Sequence, residues 1–217
     1  NVRACNQDGC EYIFPEVNTD RSWTADFSGI LDLAPGTDGF AQVRDEENDY
    51  TEWYWRVPNP HIEVNPYENR VRAWELLPDT QVSLTIGTYH GTLTSDQDGY
   101  VEFNTSPAFF DILPGQVVVL TDGTTTRTHT VTNIAVTGFN EYADLVYGIA
   151  APGSGVIVAA FDAVDNGWAD WYTANSSGDW TADFSGYEDI TTDTWGWVDQ
   201  PDADGDYTTL DWKVLFS

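Results

Sequence analysis

The stretch Asp202-Ala-Asp204-Gly-Asp206 sets three carboxylates at alternate positions around a glycine. Carboxylate oxygens are hard ligands, and a tight loop that converges them suits calcium. In the same register, the first part of the chain reads Asp45-Glu-Glu47-Asn-Asp49, so Asp45, Glu47 and Asp49 form a second candidate set. The glycine is misplaced for an EF-hand loop, and both stretches also fit a solvated Asp-Gly hairpin turn. Calcium and a plain turn therefore stand as alternatives, and no other cofactor is called for.

Catalytic chemistry has little to start from. His61, His90 and His129 are the whole histidine supply, and they give neither a Ser-His-Asp order nor a pair at metal-ligand spacing. With 36 Asp and Glu in the chain, any carboxylate pair of the kind glycosidases use arises by chance. The expectation is a protein that is not an enzyme and has no catalytic residue to assign. Cys5 and Cys10, the only cysteines, flank the turn sequence Asn-Gln-Asp-Gly. They read as a local disulfide across a tight hairpin in an oxidising compartment, with two free thiols as the alternative. Asn104-Thr-Ser106 and Asn175-Ser-Ser177 are glycosylation sequons.

Charge narrows the partners. A formal net charge of −28 with 8 Lys and Arg repels phosphate backbones and anionic lipid alike, which excludes nucleic-acid and membrane-surface binding. No apolar run reaches the length of a membrane span. The absence of an initiator Met suggests a processed N-terminus or a fragment. With 41% hydrophobic and 14% aromatic residues the chain folds despite its acidity.

The elements that must position these residues repeat. Trp-Thr-Ala-Asp-Phe-Ser-Gly occurs at 23–29 and again at 180–186, and residues 23–57 lie over 180–214 without a gap. The heptad alternates as a half-buried strand does and closes on a Ser-Gly turn. A weaker copy lies between, so three modules are expected at 1–57, 58–131 and 132–217. Short runs of β-branched and aromatic residues bounded by Gly, Pro, Asn and Asp predict an all-β chain of tandem antiparallel sandwiches. The overlay keeps Trp23/Trp180, Trp55/Trp212, Phe40/Trp197 and Trp53/Leu210 apolar in both copies, as core positions are. Tyr54 lies over Asp211 and Trp195 over Asp38, which makes Tyr54 and Trp195 surface candidates for binding, together with the local cluster of Trp168, Trp171 and Tyr172.

Val146-Tyr-Gly148-Ile-Ala150-Ala-Pro152-Gly-Ser154, then Gly178-Asp-Trp180-Thr and Asp204-Gly-Asp206-Tyr-Thr208, resembles the bacterial Ig-like repeat domains of large cell-surface and secreted proteins. The resemblance implies an Ig-like sandwich and an extracellular or cell-surface location, and it assigns no activity. Against this plan the first module is short. Val2-Arg-Ala-Cys5 aligns with the strand around 156–161, so the counterparts of 62–77 and 134–151 are missing. A sandwich without its opening strands leaves an unpaired sheet edge and a gap in its core. The expectation is a structural subunit that polymerises with itself head to tail, by strand complementation or edge pairing between N-terminal and C-terminal modules, with a fragment cut from a longer array, or a short module that closes with fewer strands, as the alternatives. The C-terminus offers only Leu215, Phe216 and Ser217 beyond the last module, too little for a long donor arm. The alternative is an adhesin or glycan-binding segment of a larger protein.

Overall fold

The computed structural model describes residues 1–164 and 166–214. The chain divides into two compact units, Asn1–Pro60 and His61–Ser217. Unit one is a single antiparallel sheet of β1 (Val2–Asn6), β2 (Gly9–Ile13), β3 (Asp38–Arg44) and β4 (Tyr50–Arg56), in the order β2-β1-β3-β4. Cys5 and Cys10 face each other directly across β1 and β2 and are joined as a disulfide.

Unit two holds the other two modules. The middle one comprises β5 (His61–Asn65), β6 (Arg70–Trp74), β7 (Gln81–Ile86), β8 (Tyr89–Thr94), β9 (Val101–Asn104), β10 (Val117–Thr121) and β11 (Thr126–Thr130). The last one comprises β12 (Ala135–Asn140), β13 (Leu145–Ile149), β14 (Gly155–Phe161), β15 (Gly167–Thr173), β16 (Asp179–Asp183), β17 (Trp195–Pro201) and β18 (Tyr207–Lys213). In each, three strands (β5-β6-β9 or β12-β13-β16) face four (β11-β10-β7-β8 or β15-β14-β17-β18). This is the strand plan of an immunoglobulin or fibronectin-III sandwich. The two modules are one unit because β18 pairs in parallel with β5, at Tyr207 opposite Glu63 and Thr208 opposite Val64. That pairing fuses a three-stranded and a four-stranded sheet into one of seven, β15-β14-β17-β18-β5-β6-β9.

Binary pattern explains these strands. β7 reads Gln-Val-Ser-Leu-Thr-Ile, and its Val82, Leu84 and Ile86 are buried between the sheets while the alternate residues face outward. Each sandwich of unit two closes on its own cluster of fully buried apolar residues, with Ile62, Val71, Phe103 and Leu120 in the middle module and Val146, Val158, Trp180 and Phe184 in the last. Unit one buries only Val2, Ala4 and Phe27 to that degree.

The first copy of the heptad departs from the strand expected of it. Residues 179–183 form β16, but Trp23–Asp26 is not a strand. β16 draws its ladder from β13 alone, and unit one has no counterpart of β13 to supply those bonds. Tryptophans expected in the core shift for the same reason. Trp23 is 42% exposed where Trp180 is 2%, and Trp53 is 76% exposed where Leu210 is 7%. Phe40 and Trp197 are half-buried, on the outward face of their sheets.

Candidate functional site

Unit one presents the inward face of a sandwich whose second sheet is absent. Ala41, Val43, Trp53 and Trp55 occupy the positions that Val198, Gln200, Leu210 and Trp212 hold in the last module, where β12, β13 and β16 cover them. In unit one Val43 and Trp53 stand in solvent, and Trp55, Ala25 and Leu31 are half-buried around Phe27. An open apolar face bordered by a segment with unpaired backbone is a surface suited to an added strand.

The carboxylate loops resolve into one recurrent device. At 45–49, 96–100, 162–166, 175–179 and 202–206, an Asp or Asn accepts the N–H groups of the second and fourth residues after it through Oδ1. Its own N–H donates to the carbonyl that closes the turn. Short Asp and Asn side chains are placed there to satisfy backbone donors in tight connections. Asp45, Glu47 and Asp49 form such a turn, fully exposed.

Asp202, Asp204 and Asp206 go further, with one oxygen of each lying within 4.8 Å of the others. The positive charge they face is Arg127 of β11. Its Nε lies 3.2 Å from both oxygens of Asp206, and its terminal nitrogen donates to the Asp204 carbonyl at 2.6 Å and the Asp206 carboxylate at 3.0 Å. Asp206, completely buried, also accepts the N–H of Ile62 at the start of β5. Burial pushes the Asp202 carboxyl up, but hydrogen bonds from Asp204 and His129 outweigh it and hold the group below its usual range. The hydrogen bond to Asp202, followed by burial, raises Asp204.

His129, 1% exposed, lies 2.7 Å from Asp202 through Nδ1 and 2.8 Å from the Thr208 hydroxyl through Nε2. Carboxylate, imidazole and hydroxyl in line is the layout of a nucleophile relay, and the sequence order gave no sign of it. Thr208, however, is wholly buried and accepts the Thr132 N–H at 2.9 Å, so no substrate reaches its oxygen. The arrangement fastens β11 to β18 at the joint between the two sandwiches. Of the other histidines, His61 stacks on Trp74 and His90 contacts Thr85.

A second charged site lies on the outward face of the seven-stranded sheet. Glu63, Arg70, Arg72, Trp197, Asp199, Tyr207, Thr209 and Asp211 line a cleft of about 250 Å³. Asp199 Oδ1 has no hydrogen-bond partner there. Burial, reinforced by the charges of Glu63 and Asp211, pushes the Asp199 carboxyl up to about 7 against a hydrogen bond from Thr209. Burial also raises Glu63, against Arg72 and Arg70. Sequence reasoning missed this cluster because its members come from four strands, β5, β6, β17 and β18, of two modules.

The aromatic candidates do not form one platform. Trp171 and Trp195 share the outward face of the last module's larger sheet, where Trp195 stacks on Phe161, while Trp168 points to the other side of β15 and stacks on Tyr187 at 4.5 Å. Tyr54, 73% exposed, belongs to unit one and ends a row with Phe40 and Tyr12, ring centroids 6.2 and 6.4 Å apart, with Arg3 over Phe40. Asn104 and Asn175 are both exposed, and each caps a turn through its own Oδ1. Leu215, Phe216 and Ser217 lie outside the described residues. Among the described residues, no helix is long and apolar enough to cross a membrane.

No known family model matches the chain, and neither does any curated protein. Among solved structures, a tetra-tandem repeat from the extending region of a large adhesion protein is 12% identical over 99% of this chain and 66% of its own, with a TM-score of 0.28. A Ca2+-stabilised adhesin by which an Antarctic bacterium binds ice is 16% identical over 97% of this chain and 63% of its own, TM-score 0.28. The FN1–FN3 domains of chicken CNTN1 are 10% identical over 98% of this chain and 90% of their own, TM-score 0.27. The chain thus spans about two thirds of the first of these structures. At such identities and TM-scores, the sandwich assignment rests on the chain's own strand order.

Proposed function

We propose that the chain is a non-catalytic structural protein of the cell exterior, a subunit that assembles into a surface filament or fibre by strand complementation or edge pairing between its N-terminal and C-terminal modules. One observation carries this reading: the inward face of unit one, with Trp23, Val43 and Trp53 in solvent, is the face that a second sheet covers in both modules of unit two. An apolar face of that kind is normally buried against a partner. At the other end of the chain, β15 is one of the two edge strands of the seven-stranded sheet and carries exposed Trp168 and Trp171. An exposed edge strand with little charge invites pairing. A heterologous contact between two different surfaces extends into a fibre unless its geometry closes a ring. Sedimentation and negative-stain electron microscopy across a concentration series test it. Fibres that shorten when Trp53→Glu is introduced are expected, and a monomer at every concentration overturns the proposal.

A second reading, an adhesin or carbohydrate-binding segment, is favoured by the row Tyr12, Phe40 and Tyr54 with Arg3 at unit one's surface. Aromatic faces of this sort stack on sugar rings as readily as on protein. Glycan-array binding that disappears with Tyr54→Ala would select this reading over the first.

A further inference from the structure

Thr208 is closed to solvent, so a reaction partner for its oxygen has to come from the folded chain around it. Directly opposite Thr208, across β17 and β18, stands Gln200. Both side chains are buried on the inward face of the last sandwich, Thr208 wholly and Gln200 with 4% exposed. Opposed residues of an antiparallel pair hold their Cβ atoms about 5 Å apart. That separation puts the Thr208 hydroxyl within reach of the Gln200 carboxamide. The carboxamide oxygen in turn accepts the N–H of Ala151 at 3.3 Å. Thr132, which donates to Thr208, precedes β12, and Ala151 follows β13; the adjoining strand ends face each other at Ala135 and Ile149.

The hydrogen bonds also fix which way a proton can move. Asp202, held below the usual carboxylate range, is ionised and can only accept, so His129 Nδ1 carries the imidazole proton. His129 Nε2 is then the acceptor for the Thr208 hydroxyl at 2.8 Å. The Thr132 N–H occupies one lone pair of that hydroxyl oxygen and leaves the other free. Nucleophile, base, positioning carboxylate and oxyanion donor thus converge on one carboxamide. Unit one lacks this pairing: in the register of the repeat Thr51 takes the place of Thr208, but Val43 stands opposite it.

From this geometry we infer that Thr208 and Gln200 join in an intramolecular ester, made by the folded chain itself. His129 Nε2 takes the hydroxyl proton as Thr208 Oγ1 bonds to Gln200 Cδ. The carbonyl electron pair moves onto Gln200 Oε1, where the Ala151 N–H stabilises it. The pair then returns, the bond from Cδ to the amide nitrogen breaks, and that nitrogen takes the proton from His129 and leaves as ammonia. One ester and one ammonia are formed from one hydroxyl and one carboxamide, and nothing is oxidised or reduced. Escape of ammonia into solvent draws the reaction forward, and the closed interior keeps water from the product. Asp202 acts through His129, as a positioning residue. Each chain reacts once, so the cross-link is a modification without turnover, and it stands whether or not the chain polymerises. It ties β18, the strand that pairs with β5 at the joint, to β17 by a bond that denaturant leaves intact.

The test reads the covalent state of the folded full chain. An endoproteinase that cuts before aspartate releases residues 199–201 and 206–210 as separate peptides unless they are joined. Mass spectrometry is expected to find the two as one branched species, lighter than their sum by one ammonia, and hydroxylamine is expected to split it. Thr208→Val, which keeps the shape and removes the oxygen, and Gln200→Glu, which removes the amide, are expected to lose the species, while Thr208→Ser retains it. His129→Asn, with circular dichroism to show that the sheets persist, is expected to lower its yield at least tenfold. Separate peptides at full mass in the parent chain overturn the inference. So does a branched species that survives Thr208→Val, or one whose fragments place the link at other residues. An undiminished yield from His129→Asn overturns the relay as its origin.

Discussion

Two copies of Trp-Thr-Ala-Asp-Phe-Ser-Gly share every residue and differ in structure. The turn that follows is the same in both. Asp26 accepts the Ser28 N–H at 2.9 Å and Asp183 the Ser185 N–H at 2.9 Å, and the carbonyls of Phe27 and Phe184 accept the N–H groups three and four residues on. Serine hydrogen bonds hold both aspartates below the usual carboxylate range. The four residues before the turn diverge, as β16 in one copy and irregular backbone in the other. A turn is written in local side-chain chemistry, whereas a strand is completed only by the neighbour that takes its hydrogen bonds.

The sharpest break of that comparison is Trp180→Ala against Trp23→Ala. Removing a fully buried indole from the last sandwich costs about 4 kcal/mol, or roughly 10 °C in the melting of unit two. Trp23, with its indole partly in water, costs under about 1 kcal/mol by the same reasoning. Thermal denaturation of both variants decides it. Equal losses would mean that Trp23 is covered as Trp180 is, by a strand already in place.

Much of this was legible in the sequence, for reasons that the two copies make concrete. Alternation and turn residues placed β14 and β16, because those strands bury one face against a sheet encoded in the same chain. The 157-residue offset located the missing opening strands, since an absence shows once the copies are in register. What failed was the inference from an apolar residue type to a buried site. Trp53 and Leu210 are both apolar, and burial is decided by a sheet that only one of them has. The joint between sandwiches was invisible for a related reason: Arg127, His129, Asp202, Asp206 and Thr208 are brought together by the parallel pairing of β18 with β5, which no local pattern announces.

The acidic turns give the next comparison. Asp49 is exposed at the end of its turn, and Asp206, its counterpart, is sealed against Arg127 and Ile62. Arg127→Ala leaves a buried carboxylate without its countercharge and lowers the stability of unit two by about 3 kcal/mol. Asp49→Ala changes stability by under about 0.5 kcal/mol. Calcium sharpens the contrast. With Arg127 gone, Asp202, Asp204 and Asp206 face no guanidinium, and added calcium raises the melting temperature of Arg127→Ala more than that of the parent chain. An unchanged difference between the two, measured with and without chelator, would show that the loop has no use for the ion.

The smallest effect is set by position 199, where the other copy of the repeat carries Gln42. Gln42 is neutral and satisfied, accepting from Arg44 at 2.8 Å and donating to Glu52 at 3.1 Å. Asp199 is an acid with an unpartnered oxygen, raised to about 7 chiefly by burial. A carboxyl raised on folding contributes stability in its protonated form. That contribution is complete below the unfolded value near 4 and is lost as the pH rises through about 7. Asp199→Asn, which mimics the neutral form at all pH values, therefore melts with the parent at pH 4 and above it at pH 8. With allowance for partial solvent access the gain is on the order of 2 kcal/mol, a few degrees in unit two. Calorimetry at the two pH values measures it. A difference independent of pH would show that Asp199 is ionised at both, its charge offset by Arg70 and Arg72 across the cleft, and would make the acid in one copy and the amide in the other equivalent in energy.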